Sequence, residues 1–118
     1  MLKDAKWIAA GDGKSPSPLF RKAFYLDTNP YNAVLNCCCL GYGVVTVNGK
    51  PVTEDVLTTP LTRFDVTVQY NSYDITDLLC EGENIIGVML GNGWYNDIAG
   101  TWDFEKAPWR HHPKMILS

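Results

Sequence analysis

Several features that would assign this chain to a familiar class are absent from its sequence. No apolar run reaches the roughly 18 residues that a membrane-spanning helix needs, and residues 1–6 lack the apolar stretch of a secretion signal. The net charge is −3, so the sequence gives no sign of the basic surface that binds nucleic acid or an anionic membrane. Neither is predicted as a partner, and the cellular compartment is left open between cytoplasmic, periplasmic and secreted.

Motifs of catalysis are missing as well. The chain contains no Gly-x-Ser-x-Gly turn, no phosphate-binding loop and no dinucleotide fingerprint. Four carboxylates do lie close together in sequence, namely Asp74, Asp77, Glu81 and Glu83. They lie on a predicted turn, where we interpret Asp77 or Glu83 as a turn or capping residue. An acid and base pair would instead need a pocket that separates the two pKa values. The sequence therefore predicts no catalytic residues in this chain.

The cysteines are few, and their spacing is not that of a disulfide framework. They are Cys37, Cys38, Cys39 and Cys80. An even count is compatible with two disulfides, but three consecutive cysteines in an apolar strand must alternate between its two faces. We therefore predict reduced thiols that pack as small hydrophobic side chains. Three cysteines without a matching second pair do not predict a zinc site.

What the chain does contain is the period-two hydrophobic patterning of β-strands. Predicted strands cover residues 19–26, 33–40, 44–47, 63–70 and 85–90, and 114–118 begins another. The Asn48-Gly49 pair predicts a type I′ hairpin that returns through 50–52. Segment 73–79 is predicted to hold a helical turn capped by Thr76. Residues 85–90 are the most apolar run and are placed at the centre of a sheet.

These strands predict one all-β domain over residues 1–118, a jelly-roll or galactose-binding-like β-sandwich. The 118 residues are enough for a single domain. Because the chain ends within a predicted strand, we expect it to be a fragment of a larger multidomain protein, with the sandwich truncated at its C-terminal end.

Nine segments, in order along nearly the whole chain, carry a family resemblance. They are WIAA at 7–10, LFRKAF at 19–24, LGY at 40–42, VNGKPV at 47–52, VQYNSYDITDLL at 68–79, GENIIGV at 82–88, LGNGWYN at 90–96, WDF at 102–104 and APWR at 107–110. Together they resemble the N-terminal domain of bacterial α-L-rhamnosidases. The Gly-Asn-Gly-Trp-Tyr run is the most specific of these segments. The chain departs from the family pattern at Gly43-Val44, where relatives tend to carry an aromatic and then an acidic residue.

The resemblance implies a function for the parent protein. That protein would be an inverting glycoside hydrolase that removes terminal L-rhamnose, with its two catalytic carboxylates in a downstream α/α barrel. This domain would then be non-catalytic, would pack on its own downstream catalytic domain and would help to shape the active site. Two alternatives stay open: a carbohydrate-binding module for L-rhamnose or a rhamnosylated glycan, and the sandwich domain of another glycosidase, such as a β-galactosidase.

The candidate binding residues lie in a long ordered loop, residues 91–113, rich in Gly, Trp, Asn and Asp. They are Asn92, Trp94, Tyr95, Asn96, Asp97, Trp102 and Trp109. Aromatic rings stack on the C–H faces of sugars, while amides and carboxylates bond to hydroxyls. The alternative is that these aromatic side chains anchor the loop or pack on the catalytic domain.

No cofactor is predicted, and calcium stays an open alternative. Oxygen ligands of the type that calcium prefers occur at Glu54, Asp55, Asn92 and Asp97, without the spacing of an EF-hand. Some related sandwich modules bind rhamnose through calcium, so such an ion would hold a sugar or a loop. His111 and His112 are adjacent and point in different directions on an extended chain, so we predict a polar loop edge there and not a metal site.

Overall fold

β-strands dominate the computed structural model, which describes residues 2–11 and 13–118. Two residues, Met1 and Asp12, lie outside the described residues. Met1 is the first residue of the N-terminal segment 1–6 considered above. The strands are β1 (Ile8–Ala9), β2 (Leu19–Leu26), β3 (Val34–Leu40), β4 (Tyr42–Val47), β5 (Lys50–Pro51), β6 (Asn71–Asp74), β7 (Gly82–Gly91) and β8 (Lys114–Leu117). Two 3₁₀ segments cover Thr76–Leu78 and Thr101–Lys106. In this described part, no helix has the length and apolar character needed to cross a membrane.

The strands form two four-stranded antiparallel sheets that share one core. One sheet has the order β1-β8-β3-β6 and the other has the order β2-β7-β4-β5. The apolar strand β7 lies between β2 and β4, as its sequence predicts, and β1 pairs with β8 through Ile8 and Met115. The prediction of an all-β sandwich is confirmed.

Strand β3 is buried on both faces, which explains its cysteines. Cys37 and Cys39 pack into the main core between the sheets, with side chains of β4, β7 and β8. Cys38 points to the opposite face, where it packs in a second cluster with Tyr95 and Ile116. These three thiols are free and buried, as predicted, whereas Cys80 is free but exposed.

The predicted hairpin is present, with its tight turn at Asn48 and Gly49. Their φ angles are 50° and 80°, the positive values that a type I′ turn requires. β4 and β5 pair directly across it.

The predicted helical turn is present as the 3₁₀ segment Thr76–Leu78, but Thr76 does not cap it. Ile75 precedes this turn and makes no side-chain cap bond. The Thr76 Oγ1 atom accepts a hydrogen bond from the Ala33 amide at 2.9 Å, and Asp74 Oδ1 accepts one from the Thr76 amide at 2.9 Å. Thr76 therefore ties the turn to the start of β3, and Asp74 forms the local turn bond.

The predicted strand over 63–70 is wrong. The amides of Val66 and Thr67 both donate to the Arg63 carbonyl at 2.8 Å, which closes a turn. Phe64 and Val68 face the second apolar cluster, while Val66 is exposed. The apolar residues alternate in sequence as in a strand, but the turn exposes Val66 between the two covered side chains, and pairing begins only at Asn71.

An apolar groove of about 600 Å³ lies between the two sheets. It is lined by Phe20 and Phe24 of β2, Leu35 of β3, Ile86 of β7 and Leu117 of β8, among others. β2 ends its sheet, so within the described residues its outer edge is not paired with another strand. The core of the sandwich is thus open along this side.

Candidate functional site

The loop of residues 91–113, here called the aromatic loop, starts at a backbone contact between two glycines. A Cβ atom on Gly93 would lie 3.1 Å from the Gly41 carbonyl carbon, and the φ angle of Gly93 is 49°. Gly41 has a φ of 91°, and a Cβ there would collide with the Gly91 carbonyl oxygen. The Leu-Gly-Tyr and Gly-Asn-Gly-Trp segments therefore meet backbone to backbone, and glycine is needed at position 41.

Asn92 and Asn96, two of the predicted site residues, are bonded to each other across one turn. The Asn96 amide donates to the Asn92 carbonyl at 3.1 Å, and Asn96 Nδ2 donates to Asn92 Oδ1 at 2.8 Å. This pairing holds both side chains in place. Among the residues described, the Asn92 NH₂ group and the Asn96 Oδ1 atom make no further hydrogen bond.

Asp97 organises the middle of the aromatic loop. Its side chain is buried, with Oδ1 accepting from the Ala99 amide at 2.9 Å and Oδ2 accepting from the Thr101 amide at 3.0 Å. Its carbonyl accepts a hydrogen bond from Arg110 Nε at 2.9 Å. The bond from Ala99, helped by Thr101 and the Arg110 charge, holds the pKa of Asp97 below its usual value. Both carboxylate oxygens are thus engaged inside the loop.

The aromatic side chains of the loop form one connected cluster. Trp94 stacks on Trp102 with ring centroids 5.6 Å apart and an interplanar angle of 18°. Phe104 meets Trp94 and Trp102 edge to face at 5.8 Å each. Phe104 also contacts Trp109 at 6.2 Å, which continues the cluster toward the sandwich.

Phe64 joins this cluster to the body of the domain. Its ring meets Trp109 at 5.9 Å and Tyr95 at 5.5 Å, both edge to face. Tyr95 is buried with Cys38 of β3 in the second apolar cluster. Of the predicted site residues, Tyr95 and Trp109 therefore anchor the loop, while Trp94 supports Trp102.

Trp102 is the outermost ring of the cluster. It is 73% exposed, although its neighbour Trp94 is partly buried. Trp102 and Asp103 have φ angles of 50° and 60°, in the left-handed region, where a non-glycine residue costs about 1–2 kcal/mol. One face of the indole rests on Trp94, and the loop holds the ring at the surface.

A polar cleft of about 420 Å³ adjoins the aromatic loop. It is lined by Gly13, Lys14, Asn92, Asn96, Arg110, His111 and His112, together with Ser15, Pro16, Ile98 and Pro113. Gly13 packs closely against the His112 ring: a Cβ atom added to Gly13 would lie 2.5 Å from His112 Nε2. Sequence patterns gave no signal for this cleft, since it joins segments about 100 positions apart.

Metal-ligating side chains are not gathered at one point in the described part of the chain. No group of three or more His, Cys, Asp or Glu residues there could hold a metal ion, so Glu54, Asp55 and Asp97 form no such group. Asp55 instead lines a shallow pocket with Val44 and Met89. His111 and His112 contact each other edge to face at 5.2 Å at the rim of the polar cleft.

Comparison with known proteins decides the family. The family model of the α-L-rhamnosidase N-terminal domain matches residues 28–118. The chain belongs to this family. This α-L-rhamnosidase N-terminal domain is 34% identical over 95 residues to an α-L-rhamnosidase of Formosa agariphila, covering 80% of this chain and 9% of that protein. The resemblance predicted from the sequence motifs is thereby confirmed.

Solved structures place the same domain in larger enzymes. An α-L-rhamnosidase from Dictyoglomus thermophilum matches 97% of this chain and 14% of its own, with a TM-score of 0.80 and 27% identity. The α-L-rhamnosidase of Aspergillus terreus matches 98% of this chain and 14% of its own, with a TM-score of 0.77 and 28% identity. The chain spans about a tenth of the length of the curated relatives it matches. It is an N-terminal domain of α-L-rhamnosidase-type glycoside hydrolases.

Proposed function

We propose that this domain is non-catalytic and that its aromatic loop is a contact surface for the downstream catalytic domain of an α-L-rhamnosidase. In this role the loop packs on that domain and shapes the entrance to its active site. The observation that carries the proposal is Trp102, an exposed indole held in a fixed orientation by a left-handed backbone and by Trp94.

The energetics favour a role outside this chain. An indole that is 73% exposed contributes little burial to its own fold, yet the left-handed backbone at Trp102 and Asp103 is unfavourable. Strain of this type persists at sites where it serves function. Tryptophan is also the residue type most enriched at the energetic centres of protein interfaces.

Other side chains of the aromatic loop support a contact surface. Ile98 is 71% exposed, so a second apolar side chain points outward from the same loop. Glu105 Oε2 and Trp109 Nε1 are buried with no hydrogen-bond partner among the described residues. Such unpaired burial costs about 1–3 kcal/mol for each atom, and buried polar atoms without a partner call for a reason beyond the packing of the fold.

The carboxylates support a non-catalytic role. Both oxygens of Asp97 accept backbone hydrogen bonds, and Asp103 is bonded to Lys106 at 3.0 Å on the surface. A glycosidase acid or base must instead present a free carboxyl group to the glycosidic oxygen or to a water.

The test uses Trp102→Ala in the full-length enzyme that contains this domain. We expect kcat/KM for an aryl α-L-rhamnoside to fall about tenfold, because an anchor at an interface commonly contributes more than about 1 kcal/mol. The matched control is Trp7→Ala, which removes a partly exposed tryptophan outside the loop. Unchanged kinetics and an unchanged melting curve for Trp102→Ala would reject the contact surface.

Sugar binding is the second candidate, and the free face of the Trp102 ring favours it. A flat, exposed indole is the platform on which a sugar ring stacks. Titration of isotope-labelled chain with L-rhamnose, with and without calcium, should then shift the indole signals of Trp94 and Trp102 saturably. Signals that stay in place at tens of millimolar sugar would exclude this function and leave the packing role.

A further inference from the structure

The polar cleft beside the aromatic loop concentrates positive charge in a chain whose net charge is −3. Lys14 and Arg110 both line it, and His111 and His112 add ring nitrogens. Among the residues that the structure describes, no aspartate or glutamate lines the cleft. The two carboxylate oxygens of Asp97 accept bonds from the amides of Ala99 and Thr101. The cleft is therefore suited to a negatively charged ligand.

Arg110 is held in position for such a ligand. Its Nε donates to the Asp97 carbonyl at 2.9 Å, which fixes the plane of the guanidinium group. Apart from this bond, the described residues offer no hydrogen-bond acceptor to the rest of the group. A guanidinium held in this way presents two parallel N–H donors, the pattern that matches a carboxylate.

Asn92 and Asn96 add neutral groups of both kinds to the same cleft. Their mutual bond, Nδ2 of Asn96 to Oδ1 of Asn92 at 2.8 Å, leaves one NH₂ donor and one carbonyl acceptor. A donor and an acceptor side by side are suited to sugar hydroxyls, which both donate and accept. The cleft volume of about 420 Å³ is within the range of about 300–1,000 Å³ found for small-molecule sites.

We propose that this cleft binds a sugar that carries a carboxylate, with Arg110 on the carboxylate and the Asn92–Asn96 pair on the hydroxyls. The cleft would then recognise an acidic residue of a glycan. This site uses different side chains from the exposed Trp102 ring, so it can be present whether or not that ring contacts a catalytic domain.

The test is a titration of the isotope-labelled 118-residue chain with D-glucuronate at constant ionic strength. We expect saturable shifts of the Arg110 Nε–H signal and of the side-chain NH₂ signals of Asn92 and Asn96. D-Glucose, the neutral match, should leave these signals in place. A parallel titration with inorganic sulfate tests whether the cleft binds any anion. We expect sulfate to bind at least tenfold more weakly than glucuronate.

Two variants and one control complete the experiment. Arg110→Gln should weaken glucuronate binding at least tenfold, and Arg21→Gln, which changes an exposed arginine on β2, should leave it unchanged. Arg110 also bonds to the Asp97 carbonyl, so its replacement could disturb the loop itself. His111→Ala, at an exposed position, tests the cleft without removing that bond and should weaken glucuronate binding at least threefold. Equal shifts with glucose, equal affinity for sulfate, or full affinity in a folded Arg110→Gln variant would overturn the proposal.

Discussion

The buried side chain of Asn84 accepts a hydrogen bond from Asn48 Nδ2 at 2.8 Å, which links the β4–β5 hairpin to the start of β7. Asn48 Oδ1 in turn accepts a hydrogen bond from the Ile85 backbone amide at 2.8 Å. Asn84 Nδ2 also donates to the carbonyls of Cys80 and Gly82 at 2.7 and 3.1 Å. The Asn-Gly and Gly-Glu-Asn segments thus form one polar network inside the fold.

Replacing Asn84 with alanine should therefore lower the free energy of unfolding by roughly 3 kcal/mol, because this fully buried side chain is lost together with all of its hydrogen bonds. Urea denaturation followed by circular dichroism measures the change. Asn32→Ala, at an exposed position, is the matched control and should change stability by less than about 0.5 kcal/mol. A loss of the same size in both variants would show that the network does not stabilise the fold.

Gly41→Ala should be strongly destabilising, since the new Cβ would meet the Gly91 carbonyl and adopt a φ of 91°. Gly49→Ala separates the two effects, because Gly49 has a φ of 80° with nothing within 4 Å of an added Cβ. We expect a loss of about 1–2 kcal/mol for Gly49→Ala from the backbone alone and a larger loss for Gly41→Ala. Thermal melts of both variants give the comparison, and equal losses would contradict the proposed close approach.

Only Cys80 should react with iodoacetamide in the folded chain. Burial raises the pKa of Cys38 to about 11 and that of Cys39 to about 12, and these side chains are also out of reach of the reagent. Mass spectrometry after brief labelling at pH 8 should show one adduct in buffer and four in strong urea. Labelling of Cys37, Cys38 or Cys39 under native conditions would mean that β3 is accessible.

The lowered pKa of Asp97 predicts a pH-dependent contribution to stability. A carboxylate whose pKa is depressed by folding stabilises the fold above its unfolded value of about 3.9, and this contribution is lost as pH falls through the folded value. Asp97→Asn should be less stable than the native chain at pH 7, and the difference should shrink below about pH 4. Asp27→Asn, at an exposed site, serves as the control; a pH-independent difference for Asp97→Asn would contradict the prediction.

Much of the sandwich was predictable from sequence because several of its strands carry apolar residues at every second position. β2, β3 and β7 follow their hydrophobic periods, and the Asn48-Gly49 turn has the residue types that positive φ angles need. The segment 63–70 was not predictable in the same way. Phe64, Val66 and Val68 alternate in sequence as in a strand, yet Val66 is exposed. Only Phe64 and Val68 pack in the second apolar cluster, which also contains Tyr95 and Trp109 from a distant loop.

The site was predictable in part, as residue types but not as roles. Tryptophan and asparagine mark the aromatic loop in the sequence, yet only the structure separates Tyr95 and Trp109, which anchor the loop, from Trp102, which faces outward. The contribution of Arg110 to the polar cleft depends on the Asp97 carbonyl and on a segment near the N-terminus. No local pattern records such long-range contacts.

The pairing of β1 with β8 has a consequence for how the chain folds. Ile8 cannot meet Met115 until all of the intervening polypeptide has been synthesised. β3 likewise needs β8 beside it, whereas the β4–β5 hairpin can close early. Topologies dominated by such distant pairings fold in milliseconds to seconds. During that interval the apolar side chains of β3 lack the strand that pairs with it, so the protection of β3 in a nascent chain depends on β8.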